Sequence, residues 1–446
     1  MDKREFLKAS GAALTGSMLS RLLHAQGGSV PRTNWSENYT YSTNSVYQPG
    51  TVEEVQAAVR ECAHLRPLGS RHSFNGIADS SHHQVAALLH VIDVDAAAKT
   101  VTVGAGIRYG DLAPVIDAKG FALHNLASLP HISVAGAIAT ATHGSGLHNG
   151  NLATVVAGLE FVSADGKVRH LSQATDGEKL RGAAVHLGAL GVMTRVTLDV
   201  QPTYQVAQTV YLGLPFAVLE EHLEDVFASG YSVSLFTDWQ NSQATQVWIK
   251  RRMDRHYEPL GAEFYGARRA TVKMHPITGH DAEACTEQMG IPGPWYERLP
   301  HFRMNFTPSS GHELQTEYLI PLEHGYEAIR AVETLRDQIT PHLFVTELRT
   351  IDADELWMST AYQRRSMAIH FTWKPEWPAV KTILPHIEAK LKPFQPRPHW
   401  AKLFTVSPEA IEAQYARLRD FKALAKEYDP EGKFRNQYLR TNLYSA

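Results

Sequence analysis

The chain has 446 residues, 43% of them hydrophobic and 20% charged, more than one hydrophobic core serves, so two or three domains are expected and a small stapled scaffold is excluded. Its 43 Lys+Arg against 46 Asp+Glu leave a net charge of −3, which argues against a nucleic-acid binder and against a disordered chain. Histidine is plentiful at 23, but Cys62 and Cys285 are the only thiols, so a Cys-rich zinc site and a disulfide framework are excluded and special chemistry falls to histidine, carboxylates, lysine or a bound organic cofactor.

Residues 1–30 open with Lys3-Arg4-Glu5-Phe6-Leu7-Lys8, followed by a weakly apolar stretch that exits through small residues near His24-Ala25-Gln26. A basic start, a modest apolar run and a small-residue exit describe an export signal; a membrane span needs about 20 strongly apolar residues. The order resembles a twin-arginine leader with Lys3 in place of the first Arg, and leaders of that kind carry proteins folded around a cofactor; a frayed amphipathic helix is the alternative. Export, with a periplasmic location, is expected, or a cytoplasmic one if the signal does not function.

Thr51-Val52-Glu53-Glu54 has the capping-box order, and Val55, Ala58, Val59 and Cys62 follow at helical spacing. Short strands are expected over 85–94, 100–103, 155–162, 168–171 and 192–198, separated by helical patterns and Gly turns. The middle third turns to alternating strands such as 313–319 and 368–373 with helices over 322–339 and 379–391, which suggests helices laid on an antiparallel sheet. One helix, 408–428, is expected near the end. The whole is an α+β chain without internal repeats.

From Phe121 to Leu159 the 39 residues contain no Asp, Glu, Lys or Arg, where average usage gives about eight. Pro130, five Gly and four His rule out a membrane span there. Ser128 to Gly136 looks like a loop entering a helix capped by Ser133, whose free N–H groups and Gly136 would suit a phosphate; an Ala/Gly helix packed in a core is the alternative. Gly104-Ala105-Gly106 and Gly144-Ser145-Gly146 both lack the third glycine of a Rossmann fingerprint, and there is no Walker lysine, no G-x-S-x-G and no H-E-x-x-H. No metal site is expected: the histidine pairs 82/83 and 143/148 lack a matching carboxylate or third ligand.

Leu68-Gly69-Ser70-Arg71-His72-Ser73-Phe74-Asn75, then Ser128-Leu129-Pro130-His131, then Thr142-His143-Gly144-Ser145-Gly146, then Pro398-His399-Trp400-Ala401-Lys402 and Asp429-Pro430-x-Gly432-Lys433-Phe434-x-Asn436, in this order, resemble the vanillyl-alcohol-oxidase-type flavoproteins, within them the alditol (xylitol) oxidases, with the sugar-lactone oxidases next. The resemblance implies an FAD-binding domain of two subdomains (31–203), an inserted substrate domain with an antiparallel sheet flanked by helices (204–404), and a segment returning to the FAD domain (405–446). It implies FAD, bonded through the 8α carbon of its ring to His72; Arg71 stands where relatives carry Gly. A second linkage through a cysteine of the phosphate loop is impossible, because no cysteine lies there. The flavin contacts carried over are Gly69, Ser70, Arg71, His72, Ser73, Ser128, Ser133, Gly136, Thr142, Gly144, Ser145 and Gly146, with Gly188, Gly191 and Val192 on the adenine side. His143 is left between a pyrophosphate contact and a packing role.

Alcohol oxidation by a flavin requires the reacting carbon against N5, so that hydride leaves to it, and a partner for the hydroxyl proton. The triplets Gln315-Thr316-Glu317, Glu347-Leu348-Arg349 and His370-Phe371-Thr372 alternate so that two polar groups share one strand face. By the resemblance Arg349 and Lys402 polarise the reacting hydroxyl, with Lys402 as proton acceptor, Glu347 accepts from the neighbouring hydroxyl, and Ser128, Gln315, His370 and Thr372 line the rest. The expected activity is oxidation of a primary alcohol of an open-chain polyol, xylitol or sorbitol in type, to the aldehyde, with O2 reduced to hydrogen peroxide. A sugar-1,4-lactone oxidase or dehydrogenase on the same scaffold is the rival, and a monomer is expected, without nucleic acid or membrane anchor.

Overall fold

The structure is a computed structural model and describes residues 31–444. The expected leader, residues 1–30, lies outside the described residues. Among them no helix is long and apolar enough to cross a membrane.

The first third builds two small sheets. One is parallel, in the order Val46–Tyr47, His83–Val85, Leu65–Pro67. The other is antiparallel, in the order Ile92–Asp95, Thr100–Gly104, Val192–Asp199, Val156–Val162, Val168–Ser172. The capping box forms as written: Thr51 Oγ1 accepts from the Glu54 N–H at 3.2 Å, the Glu54 carboxylate reaches back to the Thr51 N–H at 3.3 Å, and the helix runs Val52–Glu61. The strand expected over 85–94 is instead two, His83–Val85 and Ile92–Asp95. The chain between them leaves the sheet to press its carbonyls onto glycines: a Cβ on Gly104 would lie 1.9 Å from the Leu89 oxygen, and one on Gly106 2.4 Å from that of Ala87.

A ten-stranded mixed-length sheet follows, with its main path Glu263–Phe264, Ala267–Arg269, Gln205–Pro215, Gln243–Arg252, Ser232–Thr237, Leu343–Ile351, Ser366–Trp373, Leu314–Pro321, Arg397–Pro398. Its neighbours pair antiparallel. Alternation divides the last long strands cleanly. Tyr318, Ile320, Leu348, Ile369 and Phe371 pack with Ile329 and Val332 of the helix Gly325–Glu333 and with Ile383, Leu384 and Ile387 of the helix Trp377–Leu391. Gln315, Glu317, Glu347, Arg349, His370 and Thr372 therefore point the other way, toward the first third of the chain.

The helix expected over 408–428 is interrupted: Pro408–Gln414 and Leu418–Tyr428 flank a break in which Tyr415 has φ −114° and ψ 88°. The break lets Tyr415 turn inward, its ring 4.8 Å from that of Trp400. Ile411, Tyr415, Leu418, Phe421 and Leu424 join the core of the first third, so the chain's end returns to where it began. Asn436 Nδ2 donates to the carbonyls of Gly76 and Asp79 at 2.9 and 2.8 Å, tying that return to the loop that carries His72. Cys62 and Cys285 are both free and buried in separate apolar clusters.

Candidate functional site

One cleft, with an empty volume of about 1680 Å3 that includes the solvent at its mouth, runs between the two small sheets and the polar face of the large one. One end is walled by backbone and small residues, the other by charged side chains.

At the backbone end two loops meet. The Ser133 N–H donates to Ser70 Oγ at 2.9 Å and the Ser70 N–H to Ser133 Oγ at 3.3 Å. Ser133 stands at the N-terminus of the helix Val134–Ala139, but its hydroxyl serves Ser70 and does not cap the helix, which has only six residues. This departs from the expected cap: the hydroxyl is spent on joining the loops. The join is close enough to demand glycine, since a Cβ on Gly69 would lie 2.9 Å, and one on Gly136 2.7 Å, from Ser133 Oγ. Arg71 sits at φ 62°, the left-handed conformation that glycine favours, and its guanidinium turns outward to the Pro31 carbonyl at 3.1 Å. His72 follows, its Nδ1 3.1 Å from Ser70 Oγ and its ring stacked on Trp35 at 5.4 Å. Burial, with His131 nearby, depresses His72 to about 3, which keeps the imidazole neutral and nucleophilic.

Gly69, Ser70, Arg71, His72, Ser73, Ser128, Ser133, Gly136, Thr142, Gly188 and Val192 all line the cleft. Gly144, Ser145, Gly146 and Gly191 do not. Ser145 Oγ donates to the Val233 carbonyl, 2.5 Å away on the large sheet, and a Cβ on Gly144 would strike Leu126 O at 2.4 Å. Gly146, at φ 137°, passes between Asn149 and the Tyr231 carbonyl. This turn, directly after the lining residues Thr142 and His143, also fastens the two parts of the molecule together. Gly191 packs on the Val162 carbonyl in the same way. Residues not singled out from the sequence as contacts also line the cleft, among them Ala105, Gly106 and His186.

At the polar end the strand register places the side chains in rows. Glu347, His370 and Glu317 are opposite one another on three adjacent strands, as are Val345, Thr372 and Gln315 one row along and Arg349 and Ala368 on the other side. Glu317, which the sequence showed only as one member of a triplet, is the hub. Its Oε1 accepts from Arg349 Nη2 at 2.6 Å and lies 3.4 Å from both His143 Nε2 and His370 Nδ1. Burial alone would raise this carboxyl, but His143, Arg349 and His370 outweigh it and hold it well below the usual range. His143 is therefore a member of the polar end. Its ligand atoms, with those of Glu317 and His399, fall within 4.8 Å of one another, a spacing that can hold a metal ion, although Arg349 already occupies Glu317 Oε1.

Arg349 also donates to Ser128 Oγ at 3.2 Å. Glu347 Oε1 is 2.8 Å from His301 Nε2, a partner that nothing local in the sequence pointed to. Lys402 Nζ donates to Gln315 Oε1, whose own amide donates to the buried Glu313. Burial lowers Lys402 to about 8, with Glu317 pulling up and Arg349 down, so a neutral amine is accessible near neutral pH. The segment that carries it is bonded directly to the His72 loop: the Phe74 N–H donates to Ala401 O at 2.8 Å, and Asn75 Nδ2 to Trp400 O and Lys402 O at 2.9 and 2.7 Å.

The cleft fits a flavin dinucleotide on its own features. It is long, its two loops meet closely at one end through Gly69 and Gly136, it presents a neutral histidine, and at its polar end the buried atoms His143 Nε2, His370 Nδ1 and Arg349 Nε make no hydrogen bond, with carboxylate oxygens 3.4, 3.4 and 3.7 Å away.

Residues 43–172 match the FAD binding domain family and residues 309–442 the D-arabinono-1,4-lactone oxidase family. The alditol oxidase of a Streptomyces sp. is 48% identical over 92% of this chain and 98% of its own. L-gulonolactone oxidase of Mus musculus is 27% identical over 95% and 100% of the two chains, and L-gulono-1,4-lactone dehydrogenase of Mycobacterium tuberculosis 27% over 92% and 98%. Among solved structures, cholesterol oxidase from B. sterolicum superposes with a TM-score of 0.75 at 14% identity, covering 92% of this chain and 96% of that one, a likeness of fold.

Proposed function

Because the chain belongs to the alditol oxidases and sugar-lactone oxidases, FAD-linked oxidases of the vanillyl-alcohol-oxidase type, we propose that it oxidises the primary alcohol of an open-chain polyol to the aldehyde, while O2 becomes hydrogen peroxide. The observation that carries this is the row of Glu347, His370 and Glu317 on three neighbouring strands, flanked by Gln315, Thr372 and Arg349 and closed by Lys402. Hydrogen-bonding groups set side by side on neighbouring strands suit an extended chain of hydroxyls.

FAD, when bound, supplies the hydride acceptor and passes the electrons to O2. The chain's own residues do the rest. Gly69 to Ser73, Ser133, Gly136 and Gly188 would hold the cofactor, with His72 bonded to its ring. Arg349 and Lys402 hold the reacting hydroxyl by its oxygen, and neutral Lys402 Nζ takes the proton as the carbonyl forms. Glu347 accepts from the adjacent hydroxyl, and Ser128, Gln315, His370 and Thr372 bind those beyond it. The hydrogen-bonded polar wall excludes water from the reacting carbon.

Hydrogen peroxide release measured with xylitol, sorbitol and gulonolactone tests the reading. Turnover of the polyols is expected; turnover of the lactone alone overturns it. The lactone remains the second reading because residues 309–442 match a lactone-oxidase family. Export through the leader of residues 1–30 and a monomeric state complete the proposal, and both rest on sequence alone.

A further inference from the structure

Lys250 stands on the strand Gln243–Arg252 behind the polar end, 1% exposed. An ammonium group has three hydrogens and no acceptor, and here it meets three acceptors: the carbonyls of Leu299 and Pro300, the latter at 3.2 Å, and His301 Nδ1 at 3.0 Å. Burial lowers this lysine to about 7, and the three acceptors around it are all matched only by its ammonium form, in which His301 Nδ1 accepts and carries no hydrogen. The ring's hydrogen is then on Nε2, which lies 2.8 Å from Glu347 Oε1 and donates to it. The reverse tautomer would set the Nε2 lone pair against an acceptor-only carboxylate, since Arg349 and His301 outweigh burial and hold Glu347 ionised. Phe236 and Trp248 meet the imidazole edge-on, with centroids 5.5 and 5.1 Å away, and pack it from two sides. The His301 N–H also donates to the Ser128 carbonyl at 2.8 Å, fixing a second residue of the polar end.

We propose that Lys250 and His301 are positioning residues that set the orientation of Glu347: the lysine fixes the imidazole tautomer, the imidazole N–H occupies Oε1, and Oε2, with Arg349 Nε 3.7 Å away, accepts the hydroxyl next to the reacting carbon. The inference rests on the polyol reading above and adds a source of selectivity, a preference for substrates with a vicinal hydroxyl. Neither residue touches the reacting carbon.

Lys250→Met and His301→Gln test this in the flavin-loaded enzyme with two substrates of equal length, glycerol and 1,3-propanediol, which lacks the middle hydroxyl. Flavin content per chain and Tm report folding. Each variant is expected to lose about tenfold in kcat/KM on glycerol, mostly through KM, and less than about twofold on 1,3-propanediol, with His301→Gln retaining more because its amide can still donate. An equal loss on both substrates, or no loss on either, overturns the proposal. Should the variants not load flavin, 15N NMR of histidine in the unaltered enzyme decides: His301 is expected as the Nε2–H tautomer, and an Nδ1–H ring overturns it. Failure of the polyol reading would show differently, as turnover of lactone without turnover of glycerol, xylitol or sorbitol by the unaltered enzyme.

Discussion

Arg349 reaches across an entire strand to Glu317, Nη2 to Oε1 at 2.6 Å, and it can do so because the residue opposite it on the intervening strand is Ala368. Both partners are buried, at 7% and 1% side-chain exposure, so neither charge has water to fall back on. Removing one member of a buried pair typically costs about 3–5 kcal/mol. Glu317→Ala is expected to show a loss of that order in chemical denaturation, and Glu317→Gln a smaller one. Ala368→Val fills the space over which the guanidinium passes; a fall in kcat of at least about tenfold with flavin content unchanged is expected. Unaltered kcat would mean that the Arg349 position is not set by Glu317.

Lys402 carries a pH prediction with a definite sign. Burial lowers it to about 8, and the form that takes a proton is the neutral one. Activity is therefore low below that value, rises about tenfold per pH unit on approach, and levels above it. In a profile of kcat/KM from pH 6 to 10 the rise should vanish in Lys402→Ala, which is expected to retain flavin with turnover reduced by more than about a hundredfold. A flat profile in the unaltered enzyme would remove Lys402 as the acceptor.

The His72 assignment is tested by acid precipitation. A covalent linkage leaves the yellow colour in the pellet of the unaltered protein and releases it to the supernatant from His72→Ala. Complete release from the unaltered protein would sink the linkage.

Gly136→Ala places a methyl group 2.7 Å from Ser133 Oγ, a hydroxyl held in place by the Ser70 N–H while the Ser133 N–H is held by Ser70 Oγ. The two loops must separate. Lower flavin content after purification and a lower Tm are expected, with Gly120→Ala as the control: its Cβ would meet nothing within 4 Å, and its strain comes from φ 84° alone.

Much of this molecule is legible in its sequence because period-two alternation survives in strands that are otherwise apolar. Gln315 with Glu317, Glu347 with Arg349, and His370 with Thr372 announce a polar face, and the register then aligns them. What could not be read is whatever depends on partners far apart in the chain. Glu317 becomes the hub only when residues 143, 349 and 370 arrive around it, and His301 reaches Glu347 and Lys250 from 46 and 51 positions away. The Gly144 to Gly146 turn shows the complementary difficulty: its close neighbours Leu126, Asn149 and the Tyr231 carbonyl come from segments that no local spacing names. The break at Tyr415 follows from a ring contact with Trp400 that no helical propensity encodes.

The splice of Phe74 and Asn75 onto residues 400–402 gives the molecule a common datum. His72, the proposed cofactor tether, and Lys402, the proposed proton acceptor, are measured from the same few peptide groups, while the residues proposed to choose among substrates hang from separate strands. Drift in substrate preference can proceed strand by strand without resetting the distance between tether and base. A lesion in the splice, by contrast, would disable every substrate at once.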